Sequence, residues 1–183
     1  MSVWIALLRG VNVGGAAIRS AELAEVFRGL GFDGVRTVLA SGNVRFQTAT
    51  APADRAHLKR RIESALGERF GYEAWIVLIT QGELQAAIDR FPFDAGDATR
   101  QPWVVFCSDE ASRGELAEAA ASLDDTDADR VVFARASRDI AVVYWNPRTG
   151  TTTDTPFAKV LSKSRFKATT TNRSLRTLAK LVG

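Results

Sequence analysis

The sequence predicts an α+β fold of two ferredoxin-like (split β-α-β) subdomains with antiparallel sheets, the second of them atypical and ending in a helix. Along residues 3–79, short apolar runs alternate with helix-like apolar spacing in the order β-α-β-β-α-β. A similar order recurs after residue 102. The 183 residues are 46% hydrophobic and 25% charged, which is typical of a globular protein that buries a substantial core.

The first subdomain is predicted to span residues 1–80. Ser20 is expected to cap its first helix and Gly31 to end that helix. Ser41, Gly42 and Asn43 favour a turn, so the strands on either side of them should form a hairpin. In chain order the predicted elements are a strand at 3–8, a helix at 20–30, strands at 35–40 and 44–48, a helix at 58–69 and a strand at 72–79.

Residues 81–100 are expected to form a connecting helix, capped by Thr80, and a linker rich in loop-forming residues. The second subdomain then occupies residues 101–183. Thr155 and Pro156 should open one of its helices, because proline is favoured at the first helical position. Its predicted elements are a strand at 103–107, a helix at 116–123, a hairpin of 131–134 with 140–145, a helix from 156, a short strand at 165–168 and a final helix after 172.

Composition excludes several classes of protein. The longest apolar runs are far shorter than the roughly 20 residues of a membrane-spanning helix. The N-terminus lacks the features of a secretory signal, so we expect a cytoplasmic protein. One cysteine, Cys107, excludes an internal disulfide, and one histidine, His57, leaves no Cys/His zinc set. We expect Cys107 to be a buried strand residue, His57 to lie on a helix surface, and no metal or cofactor to be bound.

Positive charge is concentrated at the C-terminal end of the chain. The formal net charge is +3, yet residues 159–183 carry seven lysines and arginines and no acidic residue. Two interpretations are open. This segment contacts phosphate groups, or it pairs with acidic residues elsewhere, such as the run at 124–129.

Three segments together resemble a known family: ALLRGVNVGG at 6–15, ASGNVRF at 40–46 and ATTTNRSLRTLAKL at 168–181. They are similar to a bacterial family known as domain of unknown function 1697. The resemblance covers the whole chain and implies a two-part α+β fold with ferredoxin-like pieces. It implies no activity, substrate or cofactor.

The loop after the first strand is the first candidate site. Arg9, Asn12, Gly14 and Gly15 are expected to bind an anion, because glycine amides approach a phosphate or carboxylate closely and an arginine adds a charged donor. The alternative is a long connection whose glycines supply unusual dihedral angles. Asn43 is expected to place a polar group near this loop, although a turn requires the same residue.

The second candidate site is the entry to the final helix. Thr170, Asn172 and Arg173 are expected to hold an anion at a helix N-terminus, with Arg176 one turn further on. The alternative is simple capping of the helix by Thr171 or Asn172.

These candidates lead to one main functional hypothesis. We expect a binding module for a small phosphorylated or carboxylated ligand at a cleft between the two subdomains. With no histidine or cysteine dyad, any chemistry there is restricted to positioning and electrostatic stabilisation, and no reaction is assigned. The alternatives are a nucleic-acid-binding protein that uses the basic C-terminal segment, or an oligomerising scaffold without a ligand.

Overall fold

A computed structural model describes residues 1–9, 18–39, 42–123 and 128–183 of the chain. The chain divides into two compact units, of which the first comprises Met1–Leu84 with Lys180–Gly183 and the second comprises Gln85–Ala179. Within the described residues, no helix combines the length and the apolar character required to cross a membrane.

The first unit is built on a four-stranded antiparallel sheet with strand order β2-β3-β1-β4. This is the ferredoxin-like order, in which the first and third strands lie at the centre. The elements are β1 (Ser2–Arg9), α1 (Ser20–Gly29), β2 (Asp33–Thr37), β3 (Asn43–Thr48), α2 (Arg55–Phe70) and β4 (Trp75–Thr80).

The core of the first unit lies between one face of this sheet and the two helices. Trp4 and Phe46 on the sheet pack with Phe27 of α1 and Ile62 of α2, and all four side chains are fully buried. The opposite face is buried at its centre, where Ile5 is 0% exposed, whereas Arg36 of the edge strand β2 lies on the same face and is exposed. The buried centre of this face is aliphatic and offers no exposed aromatic rings for stacking bases.

Two predicted caps have different outcomes. Ser20 does not cap α1, because Arg19 occupies the N-cap position and pairs with Glu22 through its side chain. Thr80 does cap the next helix, α3 (Gln81–Asp89): the Glu83 amide donates to Thr80 Oγ1 and the Thr80 amide donates to the Glu83 carboxylate. This reciprocal pair is a capping box, which fixes the start of α3.

The second unit repeats the topology of the first. Its sheet is antiparallel with strand order β6-β7-β5-β8, so the predicted fold class is confirmed. The elements are β5 (Trp103–Cys107), α4 (Glu110–Ala120), β6 (Val131–Arg135), β7 (Ala141–Trp145), α5 (Pro156–Leu161), α6 (Ser164–Thr169), β8 (Thr170–Ser174) and α7 (Leu175–Val182).

The prediction for residues 165–168 is wrong. They belong to helix α6, and the fourth strand of the sheet is β8, which pairs with β5 along its whole length. Consecutive β-branched residues explain the position of the strand, because Thr170 and Thr171 lose less rotamer freedom in an extended chain than in a helix. As β8 is an edge strand, its sequence lacks the apolar run by which buried strands are predicted.

A partly buried network holds the hairpin of the second unit to helix α5. The Trp145 indole Nε1 donates to one oxygen of Asp129 at 2.6 Å, and the Phe157 amide donates to the other at 2.8 Å. As predicted, Thr155 caps α5 by accepting from the Ala158 amide, and Pro156 follows at the first helical position. Asp129, the last residue of the acidic run, therefore has a structural role.

Candidate functional site

A basic groove of about 510 Å³ lies in the second unit at the start of α7, and we call it the α7 groove. Its polar lining consists of Arg100, Gln101, Ser174 and Arg176, and the remainder is apolar. Of the described residues that line it, none is acidic. The volume is within the range typical of small-molecule sites.

Arg100 supplies a buried guanidinium group to the α7 groove. Its side chain is only 7% exposed, and its Nη1 donates to the carbonyl oxygen of Asn146 at 3.2 Å. Hydrogen bonds from Thr99 lower the pKa of the exposed Asp97 carboxyl, and the positive charge of Arg100 lowers it further. Asp97 is thus a charged acidic neighbour of Arg100, and its Oδ1 already accepts hydrogen bonds from Thr99.

Ser174 and Arg176 reach the groove because α7 begins there. The Leu175 amide donates to the Pro102 carbonyl at 3.0 Å, which joins the helix start to β5. Ser174 Oγ accepts from the Thr177 amide at 3.3 Å and is 2.9 Å from the Thr177 hydroxyl, so Ser174 caps the helix. Arg176, in the first turn, is exposed. The partial positive charge of a helix start adds to that of the guanidinium groups.

The predicted residues at the entry to the final helix lie in strand β8 instead. The Thr170 hydroxyl donates to the Phe166 carbonyl at 2.7 Å, and Asn172 is exposed on the edge strand. Arg173 donates to the Thr171 hydroxyl and to the Asn172 carbonyl, both at 2.8 Å. Burial lowers the pKa of Arg173 to about 10, so the guanidinium stays charged at neutral pH. Neither Thr171 nor Asn172 caps a helix, because the cap is Ser174.

Among the residues of the first candidate loop, Asn12, Gly14 and Gly15 lie outside the described residues. Arg9 ends β1 with its guanidinium carbon 6.0 Å from the centre of the Trp75 ring, and burial lowers the pKa of Arg9. Asn43 is fully buried, and its Nδ2 donates to the Val38 carbonyl at 2.9 Å. That hydrogen bond is one a turn residue makes.

Arg9 and Asn43 belong to the first unit, whereas Thr170, Asn172 and Arg173 belong to the second. None of these five lines the α7 groove. Arg100 and Gln101 were not singled out by sequence reasoning, because they lie at the boundary between the predicted linker and the second subdomain and carry no periodic signal. One signal in the sequence was available. Asp97 precedes the apolar strand predicted at 103–107, and its side chain accepts from the Thr99 amide in an Asx turn.

His57 and Cys107 have the predicted environments. His57 lies on the exposed surface of α2, and Cys107 is buried in β5, where burial raises the pKa of its thiol to about 12. In the part of the chain that the structure describes, no group of three or more His, Cys, Asp or Glu side chains is placed to hold a metal ion.

Comparison with known proteins identifies the family. A family model described as "Protein of unknown function (DUF1697)" matches residues 1–137. The chain belongs to this family. The predicted family is thus confirmed; the segments at 6–15 and 40–46 lie within the matched residues, whereas the segment at 168–181 lies beyond them. Within the α7 groove, Arg100 and Gln101 fall inside the residues that match the DUF1697 family, whereas Ser174 and Arg176 lie beyond them.

One solved structure is similar over almost the whole chain. It is described as the structure of conserved bacterial protein SP0830 from Streptococcus pneumoniae, with a TM-score of 0.80 and 21% identity. The similarity covers 99% of this chain and 97% of that one, and at this level of identity it shows a shared fold. A search of the curated proteins finds no match to this member of the DUF1697 family.

Proposed function

We propose that this protein binds a small anionic ligand, phosphorylated or carboxylated, in the α7 groove. The observation that supports the proposal is that two arginines, Arg100 and Arg176, line a groove whose described lining residues include no acidic residue. Planar guanidinium groups match the geometry of carboxylate and phosphate oxygens, and their hydrogen bonds to an anion are charge-assisted. Gln101 and Ser174 add neutral polar groups to the lining.

The two arginines have different parts in this proposal. Arg100 is buried and already oriented by the Asn146 carbonyl, so it loses little conformational freedom when a ligand binds. Arg176 is exposed and free to close on the ligand from the first turn of α7. The apolar wall, which includes Pro102 and Leu175, accommodates the uncharged part of the ligand.

Titration calorimetry with inorganic phosphate and with citrate tests the proposal. Because Arg176 is exposed, Arg176→Ala should fold normally and weaken binding about tenfold or more, as expected for a charge-assisted hydrogen bond. The matched control is Arg138→Ala, which removes the same charge from the exposed hairpin turn of the same unit. The proposal is contradicted if neither inorganic phosphate nor citrate binds at about 10 mM. It is also contradicted if Arg176→Ala and Arg138→Ala weaken binding equally.

Nucleic-acid binding is a second candidate, which one observation favours. The four cations Lys159, Lys163, Arg165 and Lys167 on and beside α5 and α6 are all exposed. Among the described residues, no ion pair involves any of them. An unpaired basic surface of this kind suits the phosphate backbone of a nucleic acid.

Fluorescence anisotropy with single-stranded DNA tests this second candidate. Binding should weaken steeply as salt rises, and replacement of all four cations by glutamine should abolish it. Arg176→Ala is the comparison variant, because it removes a charge from the α7 groove and leaves this surface intact. Binding that does not depend on salt, or that survives the fourfold replacement, contradicts the candidate.

A further inference from the structure

A second groove, of about 470 Å³, lies in the first unit along helix α2, and we call it the α2 groove. Side chains from successive turns of α2 line it, together with Leu30 from the end of α1. Their spacing of three and four residues places the α2 side chains in one row on the helix surface. The lining residues are Leu30, His57, Arg60, Arg61, Ser64, Ala65 and Glu68.

The arginines of the α2 groove differ from the other cations of α2 in their partners. Each cation of α2 outside the groove has a carboxylate at 2.6, 3.3 or 3.9 Å, in the pairs Arg55–Glu83, Lys59–Glu63 and Arg69–Glu22. Within the described residues, neither Arg60 nor Arg61 pairs with a carboxylate, and the side chains of His57 and Arg60 form no hydrogen bond. The first unit thus leaves two positive charges unneutralised at this groove.

Arg61 is held in place at the wall of the α2 groove. Its Nη2 donates to the Leu30 carbonyl at 2.6 Å, and its guanidinium carbon lies 5.4 Å from the centre of the Phe32 ring. A side chain that is already oriented loses little conformational freedom when a ligand binds. Arg60, the next residue along the helix, is exposed and free to close on a ligand beside it.

The opposite end of the α2 groove is negative. Glu68 lies eight residues after Arg60, which is about 12 Å along the helix axis, and its carboxylate accepts from the Ser64 hydroxyl at 2.9 Å. A ligand with one anionic group fits the positive end without meeting this carboxylate. A nucleic-acid strand carries a negative charge at every nucleotide and would bring further phosphates toward Glu68. The charge distribution therefore favours a small molecule with a single phosphate group.

We propose that the α2 groove is a binding site for small phosphate monoesters, in which Arg60 and Arg61 hold the phosphate oxygens and His57 donates a ring N–H to them. Guanidinium groups match the geometry of phosphate oxygens and form charge-assisted hydrogen bonds with them. At the other end, the oxygens of Ser64 and Glu68 accept from a hydroxyl or amino group of the ligand. This site is independent of the proposed function, because the α7 groove belongs to the second unit and shares none of these lining residues.

Proton NMR of the full chain tests the proposal, because His57 is the only histidine and its ring protons report on this groove. At constant pH and ionic strength, the Hε1 resonance should shift in a saturable way with inorganic phosphate, with half-saturation at about 1–10 mM. Arg60→Ala, at an exposed position, should raise that concentration about tenfold, and Arg60→Gln takes its place if circular dichroism shows that it does not fold. The matched control is Arg36→Ala, which removes the same charge from the opposite face of the sheet in the same unit.

The outcomes separate this site from other sources of phosphate binding. The proposal is overturned if phosphate moves the resonance no more than chloride does, or if Arg60→Ala and Arg36→Ala respond alike. Phosphoethanolamine should shift the resonance at least as strongly as inorganic phosphate, and a larger shift with single-stranded DNA at equal phosphate concentration overturns the assignment to small monoesters. In Arg176→Ala the native response should persist, and its loss would refute a site separate from the α7 groove.

Discussion

The buried thiol of Cys107 predicts how the stability of the second unit depends on pH. Burial raises the pKa of Cys107 to about 12; the Arg113 charge opposes the increase, and the Asp109 and Glu110 charges add to it. An unfolded cysteine has a pKa of about 8.5. Because the folded chain holds this proton more tightly, the contribution to stability is complete below pH 8.5 and is lost as the pH rises toward 12.

The magnitude follows from the difference between the two pKa values. At pH 10 the unfolded thiol is mostly ionised and the folded one is not. This pH is about 1.5 units above the unfolded pKa, and each unit lowers the free energy of unfolding by about 1.4 kcal/mol, so the total loss of stability is about 2 kcal/mol. Other groups also titrate in this range, and the variant Cys107→Ala reports their contribution alone.

Urea denaturation at pH 7.5 and pH 10, followed by circular dichroism, measures the effect. The free energy of unfolding of the native protein should fall by about 2 kcal/mol more than that of Cys107→Ala. A thiol reagent should also modify the native protein far more slowly than the unfolded protein at pH 7.5, because only the thiolate reacts. Equal pH dependence in the two proteins, together with rapid modification of the native thiol, would refute the reasoning.

Three further predictions concern stability and are checked by chemical denaturation. Asp129→Ala leaves the Trp145 indole and the Phe157 amide without their acceptor and should lower the free energy of unfolding by about 2 kcal/mol. Asp129→Asn keeps one acceptor and should lower it less, so equal losses in the two variants would argue against the network. Ser174→Ala removes the cap of α7 and should cost about 1 kcal/mol, so an unchanged midpoint would contradict that role. Gly71→Ala, at a φ of +69°, should cost about 1 kcal/mol, whereas Gly29→Ala, with open space around it, should be neutral or stabilising.

Most of the fold could be predicted because its signals are local. The central strands β1, β5 and β7 are apolar runs, and the caps at Thr80 and Thr155 depend on residues within one helical turn. Strand β8 could not be located, because its stability comes from pairing with β5, more than 60 residues away. A helix as short as α6, of six residues, does not display a helical period.

Little of the candidate site could be predicted, for the same reason. Arg100 acquires its fixed orientation from the Asn146 carbonyl, 46 residues further along the chain. Ser174 and Arg176 belonged to a segment that the sequence had already indicated, but the predicted start of the final helix, directly after residue 172, is two residues before the observed start at Leu175.

Lys180–Gly183 belong to the first unit although they follow the second unit in sequence, and this has a consequence for folding during translation. Gln81 donates through Nε2 to the Val182 carbonyl at 3.1 Å and accepts from Arg45 at 3.3 Å, so Val182 is hydrogen-bonded to residues that precede it by about 100 positions or more. During translation the strands of the first unit emerge early, but this linkage forms only after residue 182 has left the ribosome. Nascent chains halted before that point should therefore carry an N-terminal unit that is more readily digested by protease than the same unit in the finished protein.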